Sequence, residues 1–356
     1  MVEAAGDLRF SVAAGRAFMS RAFVAAGMPE EDARQVAELM LLADLRGVDS
    51  HGITRLSAYI KRIRSGGINK RPEIRIVAES AGTALVDGDN GMGHLVMRRA
   101  AEIAIAKAEQ AGIAWVGTRA SNHAGAGAVY AMMPLAHDMV GLYLAVANNN
   151  HMAPWGGVEP LLGTNPVAIA IPTGEEAPIV LDIATTTTSF GKIRNAADNG
   201  ERLPEGLVMD YQGRPVTDPN EAEHSLLLPM SEYKGSGLSL VFSLLGAALN
   251  GVATGRDTTT NTEANKPADT GQVIMALKAA NFGPIDGYKR RTDKVARDIR
   301  TSKPMPGNPA VRYPGQQGHA MMIERNRTGI PIRPPLRKSL DKLAGELAIA
   351  PLEIFG

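Results

Sequence analysis

Residues 167–184, VAIAIPTGEEAPIVLDIA, contain two short apolar runs, 167–171 and 179–183, joined by a segment rich in turn-forming residues. Such runs are typical of β-strands when β-branched side chains are frequent in them. Asp182 interrupts the second run, and a carboxylate in an otherwise apolar strand must be either paired or functional. The stretch therefore predicts two strands of a sheet. It also marks Asp182 as a candidate functional residue, able to orient a histidine and stabilise its protonated form.

The rest of the chain adds more strands and several helices. Similar strand-like runs lie at 74–78, 83–87, 113–116, 140–146 and 272–277. Helical spacing and helix-stop glycines predict that residues 8–64 are helical and that further helices lie at 94–110, 126–137, 238–249, 286–300 and 338–347. The helix at 238–249 is nearly all apolar and is expected to be buried, whereas the polar residues 254–271 predict a surface loop. This order of elements indicates a mixed α/β fold with a helical layer built from both termini.

Composition limits the function. The 356 residues are 44% hydrophobic and 21% charged, as in a globular protein of two or three domains, and the net charge of +1 argues against a nucleic-acid partner. The sequence has no cysteine, which excludes disulfides, cysteine-ligated metals and thiol catalysis. The N-terminal charges and the lack of an apolar run of about 18 residues predict a cytoplasmic protein without a membrane partner.

The histidines are the first candidates for acid–base chemistry, because imidazole titrates nearest to neutral pH. No two of the seven stand three or four residues apart, and no metal-binding motif is present, so no metal site is predicted. On a helix, His51 and Arg55 would share one face. An arginine able to hold a carboxylate would then lie one turn from a proton donor. The alternative is structural, with His51 packed at a helix end and Arg55 in a surface ion pair.

Other candidates lie in loops. His123 stands in SNHAGAG, residues 121–127, between an apolar strand and a helix, where open α/β folds place ligands, although a turn histidine is the alternative. Residues 185–192 and 233–237 offer hydroxyls, lysines and amides that could hold phosphates. The sequence contains neither G-x-G-x-x-G nor a P-loop. Motifs alone therefore leave an α/β enzyme of unassigned class.

Taken in order, short motifs along the chain resemble one family. They are RGVDSHG at 46–52 with Arg55 and Tyr59, SNH at 121–123, APWGG at 153–157, LGTNP at 162–166, LDIAT at 181–185, GKI at 191–193, LPEG at 203–206, TDP at 217–219, KG at 234–235 and PG at 314–315. Together they resemble the malate/L-lactate/ureidoglycolate dehydrogenase family. That family also contains 2,3-diketogulonate, sulfolactate and Δ1-piperideine-2-carboxylate oxidoreductases.

The resemblance implies a non-Rossmann NAD(P)-binding domain with a largely antiparallel sheet, in a homodimer. Residues 1–80 would form the helical part of the substrate domain, 81–300 the NAD(P)-binding domain, and 301–356 a segment returning to the helical part. The implied activity is hydride transfer between NAD or NADP and a small 2-oxo or 2-hydroxy acid. Reduction of a cyclic imino acid is one alternative. A catalytically silent binding protein on the same fold is another.

The resemblance also assigns residues by position. The catalytic residues would be His51, His123 and Asp182, and either histidine could be the proton donor. Substrate would be bound by Ser50, Arg55 and Thr164. Cofactor contacts would come from His123, Asn165, Asp182, Ile183, Ala184, Lys192, Lys234, Gly235, Gly315, Gln316 and Gln317.

Four places depart from the family pattern. They are Phe190, residues 231–233, Gln316–Gln317 and the polar loop 148–151. These changes are expected to alter cofactor and substrate preference without removing activity.

Overall fold

A computed structural model describes residues 8–222, 225–258 and 263–356, so residues 259–262 of the predicted surface loop lie outside the described residues. The strands in these ranges are β1 Arg9–Phe10, β2 Arg75–Glu79, β3 Thr83–Asp87, β4 Ile113–Arg119, β5 Met139–Ala145, β6 Val167–Ile171, β7 Ile179–Ile183, β8 Val208–Met209, β9 Leu226–Leu227, β10 Gln272–Lys278 and β11 Ile330–Pro331. The helices are α1 Val12–Ala25, α2 Glu30–Leu45, α3 Leu56–Arg64, α4 Gly93–Ala111, α5 Gly127–Ala131, α6 Phe190–Asn199, α7 Tyr233–Gly246, α8 Ile285–Arg300, α9 Gln316–Thr328 and α10 Pro334–Leu347.

A seven-stranded sheet in the order β2-β3-β4-β10-β5-β6-β7 forms the centre of the molecule. Of its six strand pairings, β3–β4 is parallel and the other five are antiparallel. The predicted mixed α/β fold with a largely antiparallel sheet is therefore confirmed. The stretch 167–184 is a hairpin at one edge of this sheet, with Ala168 opposite Asp182.

Asp293 of α8 fixes the turn of that hairpin. Its buried carboxylate accepts hydrogen bonds from the backbone N–H groups of Gly174, Glu175 and Glu176, at 3.0 to 3.1 Å. Burial alone would raise the pKa of Asp293, but the three donors together lower it below its usual value. The β6–β7 edge is thus attached to a helix and does not depend on strand pairing alone.

The two largest apolar cores among the described residues lie in different parts of the molecule. One is helical and joins both ends of the chain, with Phe18, Met40, Leu56 and Leu340 at its centre. The other lies between α4, α5 and the sheet, and includes Val96 and Tyr143. The two-stranded pairing of β1 with β11 also connects the two ends of the chain. The domain boundaries at 80 and 300 stay a prediction.

Several elements differ from their predictions. Helices α6 and α9 were not predicted, and the segment 126–137 is the short α5 followed by a 3₁₀ segment, Met133–His137. None of the helices in the described ranges combines the length and apolar character needed to cross a bilayer.

The predicted burial of the helix at 238–249 is wrong for one face. The side chains of Leu240, Val241 and Leu244 on α7 are 48 to 51% exposed. Small residues such as Ser239 and Ser243 face the protein instead, where both bond to Asn165. The apolar composition of this segment did not reveal which side chains point inward.

The prediction that all of residues 8–64 are helical is wrong for the stretch 49–55, which is not α-helical. This stretch consists of two 3₁₀ turns, Asp49–His51 and Ile53–Arg55, separated by Gly52, and is called the SHG loop below. The buried carboxylate of Asp44, on α2, accepts a 2.8 Å hydrogen bond from the backbone N–H of Ile53. Burial raises the pKa of Asp44 well above its usual value.

A second contact holds the SHG loop from the C-terminal side. The buried Arg325 guanidinium of α9 donates to the backbone carbonyl of Asp44 and to both carboxylate oxygens of Asp49. The loop is therefore held between α2 and α9, two helices that lie far apart in the sequence.

Gly52→Ala is expected to disturb this arrangement, because a Cβ atom there would lie 1.9 Å from Asp44 Oδ1. Overpacking of this kind typically lowers the free energy of unfolding by about 1–3 kcal/mol. Urea denaturation of both proteins measures the change. The matched control is Gly345→Ala in α10, where nothing lies within 4 Å of the new methyl and stability should be kept or raised. A Gly52→Ala variant as stable as the wild type would contradict the contact.

Candidate active site

Two histidines far apart in the sequence meet in the structure. The rings of His51, from the SHG loop, and His123, from the loop after β4, are stacked with centroids 5.6 Å apart and planes 24° from parallel. The Oη atom of Tyr59, on α3, lies 2.6 Å from His123 Nδ1. The structure thus brings the two histidines singled out from the sequence into one cluster.

Arg55 lies beside this cluster at an exposed position. Its Nε donates a 2.9 Å hydrogen bond to the carbonyl of Ser50, while Ser50 Oγ lies 2.8 Å from His51 Nδ1. No carboxylate in the described part of the chain forms an ion pair with Arg55. The guanidinium therefore offers its terminal N–H groups to a ligand, and a carboxylate is the group that fits this planar fork.

The imidazoles of the cluster are neutral near pH 7. Burial lowers the pKa of His51 to about 4, and the positive charge of Arg55 adds to the effect. Burial, with Arg55, His51 and His94 nearby, also lowers the pKa of His123 well below its usual value. Each neutral ring offers one N–H donor and one acceptor nitrogen.

Tyr59 and His94 also belong to the cluster, and the sequence assigns neither a function. Tyr59 is only part of a motif, and His94 stands in none. The His94 ring stands edge to face against Tyr59, with centroids 5.5 Å apart at 82°. The sequence signal that could have drawn attention to His94 is its position at the start of a predicted helix, among apolar residues.

Asp182 forms no hydrogen bond with a histidine in the described part of the chain. Its Oδ2 accepts a 2.8 Å hydrogen bond from the backbone N–H of Ala128 at the start of α5. Desolvation by the surrounding chain raises the pKa of this carboxyl, opposed by that N–H and by the positive charge of Arg46. The hydrogen bond joins β7 to α5, which differs from the expectation that Asp182 orients a histidine. Its catalytic and cofactor-binding assignments stay predictions.

Asn165 precedes β6 and connects it to α7. Its side chain is fully buried, accepts from Ala147 N and donates to the backbone carbonyl of Ser239 and to the hydroxyls of Ser239 and Ser243. All of these bonds are internal, so the side chain acts as a brace for α7. The neighbouring Thr164 accepts hydrogen bonds through its carbonyl from both the backbone N–H and the hydroxyl of Thr185.

The other predicted cofactor residues lie on segments around β7. Ile183 ends that strand and Ala184 follows it. Lys192 is in the first turn of α6, and Lys234 and Gly235 are in the first turn of α7. Gly315 precedes α9, and Gln316 and Gln317 begin that helix. The carbonyl of Pro314, next to Gly315, accepts a hydrogen bond from the Val180 N–H of β7. Helix N-termini carry unpaired N–H groups that favour anions such as phosphates.

Two of the departures from the family pattern touch each other. The His151 and Phe190 rings pack edge to face with centroids 4.7 Å apart. Phe190 begins α6, and the next residue, Gly191, comes close to the SHG loop: a Cβ atom on it would lie 3.6 Å from Ser50 Cβ. The Phe190 ring therefore belongs to a segment that lies next to the SHG loop. No group of three metal-ligating side chains was found in the part of the chain that the structure describes.

Comparison with known proteins connects this site to a family. The family model described as malate/L-lactate dehydrogenase matches residues 10–341. A malate dehydrogenase of Pyrococcus abyssi is 35% identical over 95% of this chain and 94% of its own length. The solved structure of sulfolactate dehydrogenase from Methanocaldococcus jannaschii superposes with a TM-score of 0.89, at 34% identity, covering 96% of this chain and 98% of the other.

Relatives named for both cofactors are also similar. A ureidoglycolate dehydrogenase (NAD(+)) of Escherichia coli O157:H7 is 32% identical over 82% of this chain and 83% of its own length. A (2R)-3-sulfolactate dehydrogenase (NADP(+)) of Chromohalobacter salexigens is 32% identical over 86% and 90%. The structure of a Δ1-piperideine-2-carboxylate reductase from Pseudomonas syringae has a TM-score of 0.84 at 27% identity, with 94% and 99% covered.

The predicted class, an oxidoreductase of hydroxy and oxo acids that uses NAD or NADP, is confirmed by these matches. The family match covers the SHG loop and both histidines of the cluster. The chain belongs to the malate/L-lactate dehydrogenase family.

Proposed function

We propose that this protein reduces a small 2-oxo acid at C2, and oxidises the corresponding 2-hydroxy acid in reverse. The observation that carries the proposal is the exposed Arg55 guanidinium, without a carboxylate partner among the described residues, beside two neutral imidazoles. A 2-oxo acid has a carboxylate directly attached to a carbonyl carbon. One cation and adjacent N–H donors match that pair of groups.

The proposed roles follow from this match. Arg55 holds the carboxylate through two parallel N–H···O bonds, and Ser50 and Thr164 line the site. His51 and His123 face the carbonyl oxygen, where negative charge develops as the carbon is reduced. Donors aimed at such an oxygen are among the strongest contributors to catalysis. When bound, NAD(P)H supplies the hydride.

We infer that the cofactor binds without a Rossmann motif. The largely antiparallel sheet and the lack of G-x-G-x-x-G support this. Lys192 and Lys234, each in the first turn of a helix, are proposed to hold its phosphates together with nearby backbone N–H groups. The remaining contacts are proposed for the residues that surround β7, namely His123, Asn165, Asp182, Ile183, Ala184, Gly235, Gly315, Gln316 and Gln317. For Asn165 the contact would come from its backbone.

Two alternative functions would give different results in a turnover assay. A cyclic imino acid such as Δ1-piperideine-2-carboxylate also carries a carboxylate next to the reducible carbon, and a similar solved structure bears that name. The imine nitrogen can be protonated before it binds, so the rate of its reduction would depend less on proton donation by a histidine. A silent binding protein on the same fold would turn over no substrate.

The test is a substrate panel run with NADH and with NADPH. Pyruvate, oxaloacetate and Δ1-piperideine-2-carboxylate are offered for reduction, and malate and ureidoglycolate for oxidation, with the reduced cofactor followed by its absorbance. We expect an oxo acid to be reduced, and His51→Ala and His123→Ala each to lower kcat by about 10²–10⁴-fold if acid–base help is lost.

The control is His137→Ala, because that histidine is exposed outside the cluster. Full turnover in both cluster variants would contradict the proton-donor role. Turnover of the imine alone would favour the second function. No turnover of any compound would favour the third.

We also propose that the protein is a homodimer that uses the exposed face of α7. Leu240, Val241 and Leu244 expose about half of their side-chain area, and Leu249 just beyond the helix is 64% exposed. A helix that is apolar on both faces is normally covered on both, and monomers seldom expose contiguous apolar patches of this kind. An isologous contact between two copies of α7 would cover the patch.

Sedimentation velocity on the wild type and on Leu240→Glu/Leu244→Glu tests the dimer. We expect the wild type to be a dimer and the variant to be a monomer, because burying two unpaired carboxylates per subunit in the interface is costly. Val295→Glu on α8, where the wild-type side chain is also 50% exposed, is the matched control and should stay dimeric. A monomeric wild type, or a dimer that survives both charges, would contradict the proposed interface.

The cytoplasmic location and the lack of nucleic-acid and membrane partners stay predictions from composition.

A further inference from the structure

Two hydrogen-bond donors converge on one nitrogen of His123. The backbone N–H of Gly125 points at His123 Nδ1 from 3.3 Å, and the Tyr59 hydroxyl lies 2.6 Å from the same atom. A backbone N–H can only donate, so His123 Nδ1 must accept. Burial raises the pKa of Tyr59, so its hydroxyl keeps the proton that it donates.

This geometry fixes the tautomer of His123. With Nδ1 as the acceptor, the neutral ring carries its proton on Nε2. Protonating Nδ1 as well would turn an N–H toward the N–H of Gly125 and remove that bond. His123 is therefore held as a neutral ring with one N–H available to a ligand.

His51 is not restricted in this way. The group next to its Nδ1 is the hydroxyl of Ser50, at 2.8 Å. A hydroxyl rotates and can either donate to a neutral ring or accept from a protonated one. His51 can therefore gain and lose a proton without losing this hydrogen bond.

His94 packs against the residues that donate hydrogen bonds to His123. It is 1% exposed, neither ring nitrogen has a hydrogen-bond partner in the described chain, and burial lowers its pKa to about 3. A Cβ atom on Gly125 would lie 2.8 Å from His94 Nε2. The neutral His94 ring thus packs against both Tyr59 and the Gly125 backbone, the two sources of donors to His123.

We propose that Tyr59 is a positioning residue which, with the Gly125 amide, holds His123 as a fixed neutral Nε2–H donor and so leaves proton delivery to His51. The assignment of roles rests on the proposed function. When bound, NAD(P)H would supply the hydride that forms the C–H bond at C2, and the carbonyl π electrons would move to oxygen. His123 Nε2–H would bond to that oxygen. His51, protonated from solvent once the substrate carboxylate offsets the charge of Arg55, would give the oxygen its proton and become neutral.

Nitrogen-15 NMR of ring-labelled histidine tests the tautomer directly, and His123→Gln assigns the signal. In the wild type we expect the Nε2–H form of His123. In Tyr59→Phe one of the two donors is lost, so we expect a measurable Nδ1–H population and a kcat reduced by about 10-fold, as for one lost hydrogen bond. The KM for the oxo acid should change little, because Arg55 still holds the carboxylate.

The pH profile separates the two histidines. His51→Gln should remove the ionisation seen in kcat. His123→Gln should lower kcat but keep that ionisation. Arg55 and His94 influence the charge of both rings, whereas Tyr59 contacts His123. Tyr143→Phe is the matched control, since this buried hydroxyl bonds only Gln272 among the described residues, and its tautomer signal and kcat should match the wild type.

An Nδ1–H form of His123 in the wild type, or a Tyr59→Phe variant with unchanged tautomer and kcat, would overturn the proposal. If the NMR result is as expected but no oxo acid is reduced, the positioning contact stands and the proposed function fails.

Discussion

The hydrogen bond from the Ile53 N–H to the buried Asp44 carboxylate is the contact on which the site depends. It fixes the second turn of the SHG loop, while Arg325 fixes the first through Asp49. Asp44 belongs to the N-terminal helices and Arg325 to the C-terminal segment, so the loop is shaped only when both ends of the chain have packed together. Ser50, His51 and Arg55 gain their positions from that assembly.

The second constraint is electrostatic. Burial keeps the rings of His51, His94 and His123 neutral, and Arg55 lies next to them as a positive charge. A neutral imidazole can still act as an electrophile toward a carbonyl oxygen, as in triosephosphate isomerase. A bound carboxylate would offset the charge of Arg55 and make protonation of a histidine easier. The site is therefore prepared to change its protonation when the correct anion arrives.

Much of the fold could be predicted from the sequence, because strand signals are local. The runs 167–171 and 179–183 are strands with those bounds. The α-helix predicted over the SHG loop is wrong because side-chain contacts shape the loop, from Asp44 on α2 and from Arg325 on the distant helix α9, and a local pattern does not show them. The apolar composition of α7 predicted burial but did not show that its serines face inward while Leu238, Leu240 and Leu244 face outward.

The site was partly predictable because some of its residues stand in local sequence motifs. His51, His123 and Arg55 stand in recognisable motifs, whereas the effect of Tyr59 depends on a 2.6 Å contact with a residue 64 positions away. Asp182 was correctly noticed as an unusual carboxylate in a strand. Its partner, the Ala128 amide, becomes visible only when α5 is placed against β7.

The most direct measurement is calorimetric binding of oxamate, an unreactive 2-oxo acid analogue, to the enzyme–NAD(P)H complex in buffers of different ionisation enthalpy. The pKa of His51 is lowered to about 4 in the unliganded site. A carboxylate on Arg55 should raise this pKa, so the complex should take up a proton and bind more tightly as the pH falls from about 8 to 5. Arg55→Gln should abolish binding. Oxamate binding without proton uptake and with the same affinity across that range would contradict the account.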